Sequence, residues 1–227
     1  MSYSGFQLGH PNLILASNAT TKNERFAHKV WGTSQRLVAS IALIILSPII
    51  TVMWLLVKVS SPGPFLFKQQ RPGMNGSTFT VYKMRTMQSG SEKETALGVT
   101  NSNPQVTAIG KILRALKLDE LPQLWNVVSG SMALVGPRPI PIPLDQELRT
   151  KIPNFKRRYE VRPGLTSIGQ ICVHDNALGD ALVEDWELRF EGELHYLENR
   201  SVSYDFLMIL MTILYLFKKL TSFNEKN

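Results

Sequence analysis

The chain has 227 residues, room for one compact domain plus a membrane element. Its 25 Lys and Arg against 18 Asp and Glu give a formal charge of +7, which suits anionic lipid, nucleotide or nucleic acid without choosing among them. A single cysteine, Cys172, excludes an internal disulfide framework and fits a reducing compartment.

Residues 1–24 are polar, lack the apolar stretch of a signal peptide and read as a loose tail. From Leu37 to Val57 the chain carries no charge for 21 residues. As a straight helix that run is roughly 31 Å long, about the thickness of a bilayer's hydrocarbon core. Pro48 has no N–H, and its ring crowds the carbonyl of Ile44, so the run is expected to bend there. Ser47 can bond a carbonyl one turn back and satisfy part of what the bend exposes. Each half then reaches the bilayer midplane and can return. Basic residues lie on both sides: Lys22, Arg25, Lys29 and Arg36 before, Lys58, Lys68, Arg71, Lys83 and Arg85 after. Because cytoplasmic flanks attract Lys and Arg, two basic flanks favour a hairpin. A kinked span stays equally open on these residues alone.

Pro-Gly-Pro and Arg-Pro-Gly next mark turns, and "FLFK" and "TFTVYK" predict a β-hairpin around "GMNG". Residues 88–107 read as a polar loop. Ile109, Ile112, Leu113 and Leu116 form a helical stripe that breaks near Asp119, where a second short helix begins. Pro122 is tolerated only in its first turn. "ALVGPRPIPIP" is too rich in proline for regular structure, and "YEVRPGLTSIGQI" predicts a turn and then a strand. "VEDWELRFEGELHYLEN" is an amphipathic helix. The apolar stretch from Phe206, closed by Lys218 and Lys219, predicts a helix on the membrane surface.

Asp119 and Glu120 stand at the junction of two helices. An N-cap and a favourable first-turn charge would account for them. Adjacent helical residues point in different directions, so the pair is unsuited to sharing a proton and suited to dividing labour. One carboxylate can attack phosphorus, and the other can hold a Mg²⁺ that also grips phosphate oxygens. Lys83, Arg85, Arg114, Arg138, Arg158 and Arg162 are scattered among Pro and Gly and offer phosphate and substrate contacts, the planar guanidinium being suited to phosphate.

With these residues in view, the chain resembles the bacterial sugar transferases, the small monotopic polyprenol-phosphate phosphoglycosyl transferases. The resemblance runs from about Arg25 to Leu220. It includes "LSPII", "GPFLFKQQRPGMNGSTFTVYKMRTM", "GKILRALKLDELPQLWNVVSGSMALVGPRP", "VRPGLTSIGQ" and "WELRFEGELHYLEN". "LDELPQLWNV" followed by "LVGPRP" is the most specific pair.

The resemblance implies an α+β architecture in four parts. These are a flexible tail (1–24), a re-entrant helix-break-helix hairpin (25–60) broken at Ser47 and Pro48, a cytoplasmic catalytic domain of helices with a small β-hairpin or sheet (61–203), and an interfacial helix with its tail (204–227). It implies transfer of a sugar phosphate from a UDP-sugar to undecaprenyl phosphate, with release of UMP, at the start of cell-surface polysaccharide assembly. Asp119 would form the covalent phospho-sugar ester, Glu120 would bind Mg²⁺, and Arg138, Arg114 and Lys83 would serve the phosphates. The site would face the cytoplasm from the inner membrane, with the bilayer as partner and no nucleic acid; a homodimer is compatible with it.

This chain departs from the family pattern at Lys117, usually Ser or Thr, in "TSIGQ", across 167–185, and at Glu193, where Asp is frequent. These departures bear on the sugar pocket more than on the core chemistry. His174 and Asp175 read as an exposed loop pair, and Cys172 as a small buried residue.

Overall fold

The computed structural model describes residues 22–91, 103–172 and 180–224. The expected tail before Lys22, His174 and Asp175 lie outside them, as does the Cys172 side chain.

Helix α1 (Lys22–Ser60) is one uninterrupted element with Pro48 inside it. The expected separation into two helices is not seen. The physical reason is local: Pro48 cannot bond the Ile44 carbonyl, and Ser47 Oγ donates to that same oxygen at 2.7 Å. Thr51 Oγ1 does likewise for the Ser47 carbonyl at 2.9 Å. By length and composition Val30–Ser60 suffices to cross a membrane, and almost none of its apolar window is covered.

One edge of α1 nevertheless packs along the domain at both ends. Near its start, the Gln35 side chain accepts from Leu134 N at 2.7 Å, and Trp31 Nε1 donates to Asp205 Oδ2 at 2.7 Å. Ala39 is fully buried against Leu124, Val127 and Met132. Near its end, Val57 is buried with Met84 and Leu113. Burial of such side chains contributes roughly 2 kcal/mol each.

Strands β1 (Leu66–Pro72) and β2 (Thr78–Met84) form the expected antiparallel hairpin, in register from Leu66–Met84 to Pro72–Thr78. Met74–Gly76 turn the chain, with Asn75 and Gly76 at positive φ. Helix α2 (Ala108–Ala115) carries the expected stripe and is capped by Thr107, whose side chain accepts from Gly110 N. A 3-10 turn (Leu118–Gln123) and helix α3 (Leu124–Ser129) follow.

Three segments differ from the sequence reading. "ALV" of the proline-rich stretch is a short strand, β3 (Ala133–Val135), paired in parallel with β4 (Gly164–Thr166). Just beyond the prolines lies helix α4 (Ile142–Lys151), where a proline occupies the first turn and costs no hydrogen bond. After β4 the chain enters helix α5 (Ile168–Cys172) instead of continuing as a strand. Helices α6 (Asp180–Asn199) and α7 (Val202–Asn224) are where periodicity puts them. Phe155, Trp186, Phe190, Leu148 and Ile152 form the largest buried cluster, beneath α4 and α6.

Candidate active site

The dyad is delivered by a reversal of the chain. After α2, Lys117 takes a left-handed conformation (φ 58°), which turns the backbone into the 3-10 segment bearing Asp119 and Glu120. A lysine is rarely found there, and the strain is local to the dyad. Both carboxylates are buried, at 8% exposure each.

Their surroundings differ. Glu120 Oε1 accepts from Lys83 Nζ at 2.8 Å and from Arg138 Nη2 at 2.9 Å. Burial alone would raise the Glu120 carboxyl, but Arg138, Lys83 and Lys117 outweigh it and hold the group well below its usual range. Among the described residues, the Asp119 carboxylate makes no hydrogen bond and no ion pair within 4 Å. Burial pushes the Asp119 carboxyl up, aided by Glu120 and opposed by Lys83, Lys117 and Arg114. One carboxylate is thus tied down as an ion, while its neighbour is desolvated and bare.

Lys83 reaches the site from β2. Its register is fixed by Asn126 of α3, a buried amide that accepts from Tyr82 N at 3.2 Å and donates to the Thr80 carbonyl at 2.7 Å. Burial lowers the Lys83 ammonium, with Glu120 opposing. Arg114, at the end of α2, donates through Nε to Thr86 Oγ1 at 2.9 Å and lowers the Asp119 carboxyl through space. Arg138 comes from the loop after β3. These three, of the cations read from the sequence, gather around the dyad.

The structure places the other three elsewhere. Arg85 is buried and donates to the Ser61 carbonyl at 2.6 Å and to Ser89 Oγ at 3.2 Å, so it closes the loop after α1. Arg158 lies behind Arg138, ion-paired to Glu193 at 3.0 Å. The guanidinium of Arg162 lies against Gly32 of α1.

Two residues not singled out from the sequence complete the surroundings. Arg71 of β1 donates to the Pro139 carbonyl and, through Nη2, to Gln69 at 2.8 Å. Burial, reinforced by Arg138, pushes it down to about 9. Asn126 is the second, and a polar residue amid "LWNVV" was the signal for it. Arg71 carried none.

As a donor set for an ion, the dyad offers oxygen only. Among the described residues no group of three or more His, Cys, Asp or Glu that could hold a metal ion is assembled. Glu120 Oε2 and the Asp119 carboxylate carry no hydrogen bond among those residues. Mg²⁺ fits such a site, since it is held by one or two carboxylates, water and substrate phosphates. Among the described residues, the cations Arg71, Lys83, Arg114 and Arg138 also outnumber the two carboxylates of the dyad two to one, a surplus suited to a polyphosphate.

Three relatives are informative. The UDP-glucose:undecaprenyl-phosphate glucose-1-phosphate transferase of Escherichia coli (strain K12) is 36% identical over 77% of this chain and 37% of its own length. The UDP-N-acetylgalactosamine-undecaprenyl-phosphate N-acetylgalactosaminephosphotransferase of Aeromonas hydrophila is 37% identical over 78% of this chain and 41% of its own. A Caulobacter vibrioides transferase named like the first is 36% identical over 77% of this chain and 65% of its own. The chain therefore spans about two fifths of the length of the first two relatives. Residues 28–219 match the family model described as bacterial sugar transferase, and the chain belongs to that family.

Proposed function

We propose that the protein transfers a sugar phosphate from a UDP-sugar to polyprenol phosphate in two steps, with Asp119 as the nucleophile. The observation that carries this is the contrast within the dyad: Glu120 is fixed by two cations at hydrogen-bond distance, and Asp119 is buried with no hydrogen bond or ion pair among the described residues. A carboxylate stripped of water and hydrogen bonds is the more reactive one.

In the first step an Asp119 oxygen attacks the β-phosphorus of the donor. The bond from that phosphorus to the bridging oxygen breaks, and UMP departs with the electron pair. The product is a phospho-sugar ester of Asp119. In the second step a phosphate oxygen of the polyprenol attacks the same phosphorus, the ester bond breaks, and Asp119 regains its charge. The two bulky substrates need never share the pocket. Lys83, Arg114 and Arg138 neutralise charge on the transferring group. Glu120, with Asp119 beside it, would hold Mg²⁺, which when bound supplies further neutralisation of the phosphate oxygens.

The same reading puts the domain on the cytoplasmic side of the inner membrane, with α1 re-entrant. Its support is that both ends of α1 contact one domain, through Trp31 and Gln35 at the start and Val57 at the end. The outer sides of α1 and α7 expose Leu37, Ile44, Ile45, Phe206, Leu214 and Phe217. These apolar faces suit lipid. Both basic flanks then stay in the cytoplasm, where UDP-sugars are found, and the site meets the acceptor phosphate at the bilayer surface.

The test is release of UMP, not UDP, across a panel of UDP-sugars, with Asp119→Asn abolishing it. Incubation with donor alone should add the mass of one phospho-sugar at residue 119. Robust turnover by the amide variant would overturn the mechanism. For the topology, cysteines at positions 29 and 60, with Cys172 removed, should label from the same face.

A further inference from the structure

We propose that Arg158 and Glu193 are positioning residues that clamp the peptide of Arg138 and thereby aim its guanidinium at the dyad. The inference rests on the phosphate-binding role proposed for Arg138.

Three contacts define the clamp. Glu193 Oε1 accepts from Arg138 N at 2.9 Å and from Arg158 Nη2 at 3.0 Å. Arg158 Nη2 also donates to the Arg138 carbonyl at 2.5 Å. The N–H and C=O of one residue are thus both gripped by a single buried ion pair, whose side chains are 3% and 2% exposed. Arg158 is itself held flat, its guanidinium carbon 4.6 Å from the Phe155 ring centre and 5.5 Å from that of Trp186. The neighbouring carbonyls are held as well, Pro137 O by Gly164 N at 2.9 Å and Pro139 O by Arg71. Between Pro137 and Pro139, Arg138 supplies the one backbone N–H, and Glu193 takes it.

Stability does not explain the pair. Glu193 Oε2 is buried with no hydrogen-bond partner among the described residues, an orphan that costs free energy. Buried ion pairs are often replaced by apolar residues without loss. What this pair does that apolar residues cannot do is hold both polar groups of residue 138, while the side chain of that residue reaches Glu120. Displacements of about 1 Å in such a group cost on the order of a hundredfold in rate.

The test uses the full chain in detergent or nanodiscs. Glu193→Ala and Arg158→Met should each lower kcat/KM for the donor by about 10- to 100-fold, and Glu193→Gln, which keeps the accepting oxygen, by less than about fivefold. In an Arg138→Ala background the same changes should cost less than about threefold, because nothing remains to be aimed. Equal losses in both backgrounds would show that the pair acts through the fold at large and overturn the proposal. Amide exchange provides a readout independent of turnover: protection of the Arg138 N–H should fall in Glu193→Ala and persist in Glu193→Gln. Unchanged protection in Glu193→Ala would also overturn the clamp. If the unaltered chain releases UMP from no UDP-sugar, the functional reading falls by itself, and exchange still decides the clamp. Should Glu193→Ala fail to fold, Arg158→Lys takes its place; it keeps the charge but loses the planar fork that grips the Arg138 carbonyl, and should lower kcat/KM with Arg138 present but not in the Arg138→Ala background, equal losses overturning the proposal.

Discussion

Around Arg138 the backbone groups of four consecutive residues are taken up by Thr166, Gly164, Glu193, Arg158 and Arg71, whereas α1 turns Leu37, Ile41, Ile44, Ile45 and Val52 outward, away from the described protein. In the loop, position is set by directional bonds, and small changes of shape matter. On the helix only apolar character matters, and one side chain replaces another freely as long as it carries no charge. The chain separates aiming from anchoring.

The comparison breaks most completely at the parallel pair beneath the loop. A Cβ on Gly164 would lie 2.1 Å from Gly136 N and 2.6 Å from Gly136 O, backbone atoms with no room to retreat. Gly164→Ala should cost more than about 4 kcal/mol and be read as loss of the folded state by circular dichroism. On the helix a much larger chemical change should leave the fold intact. Ile44→Asp with Ile45→Asp meets no protein partner among the described residues, so stability to unfolding in detergent should stay within about 0.5 kcal/mol of the original. Membrane association should be lost on flotation with vesicles, at roughly 3 kcal/mol per aspartate.

Between these extremes, Lys83→Met sharpens the comparison at the dyad, with a loss of about a hundredfold in kcat/KM. As the proposed nucleophile, Asp119 would have to be ionised to attack, and its carboxyl is already raised by burial. Activity therefore declines as pH falls through that raised value. Removing the Lys83 cation raises it further, so the acidic limb of the profile should move to higher pH. Thr212→Val is the mildest change. It removes the 2.7 Å bond between Thr212 and Thr166 and should cost about 1 kcal/mol in denaturant melts, with kinetics unaltered.

The parts legible in the sequence were those written in local pattern. The hairpin of β1 and β2, the stripe of α2 and the long helices α6 and α7 each repeat a period over enough residues to stand out. The dyad was legible because its motif is specific. β3 was hidden because it is three residues long, too short for alternation, and although a strand was legible after the Arg-Pro-Gly turn, its pairing with β3 spans 31 positions through glycine contact that no local pattern encodes. The cations divide for a similar reason. Arg85, Arg114, Arg138, Arg158 and Arg162 look alike as letters, and only the fold decides which guanidinium meets a carbonyl and which meets the dyad. Glu193 was noticed as a departure, yet its two donors lie 55 and 35 residues away.

The contact of Trp31 with Asp205 has a practical corollary. Asp205 also accepts from Tyr196, whose hydroxyl lies 3.3 Å from the Val135 carbonyl, so α1 is stitched to the strand that leads into the loop bearing Arg138. Cutting α1 away to obtain a soluble fragment would uncover Met84, Leu113 and Met132 and leave a buried acid without its indole. Helix α1 is part of the folded body, and biochemistry on this protein has to begin with that helix attached.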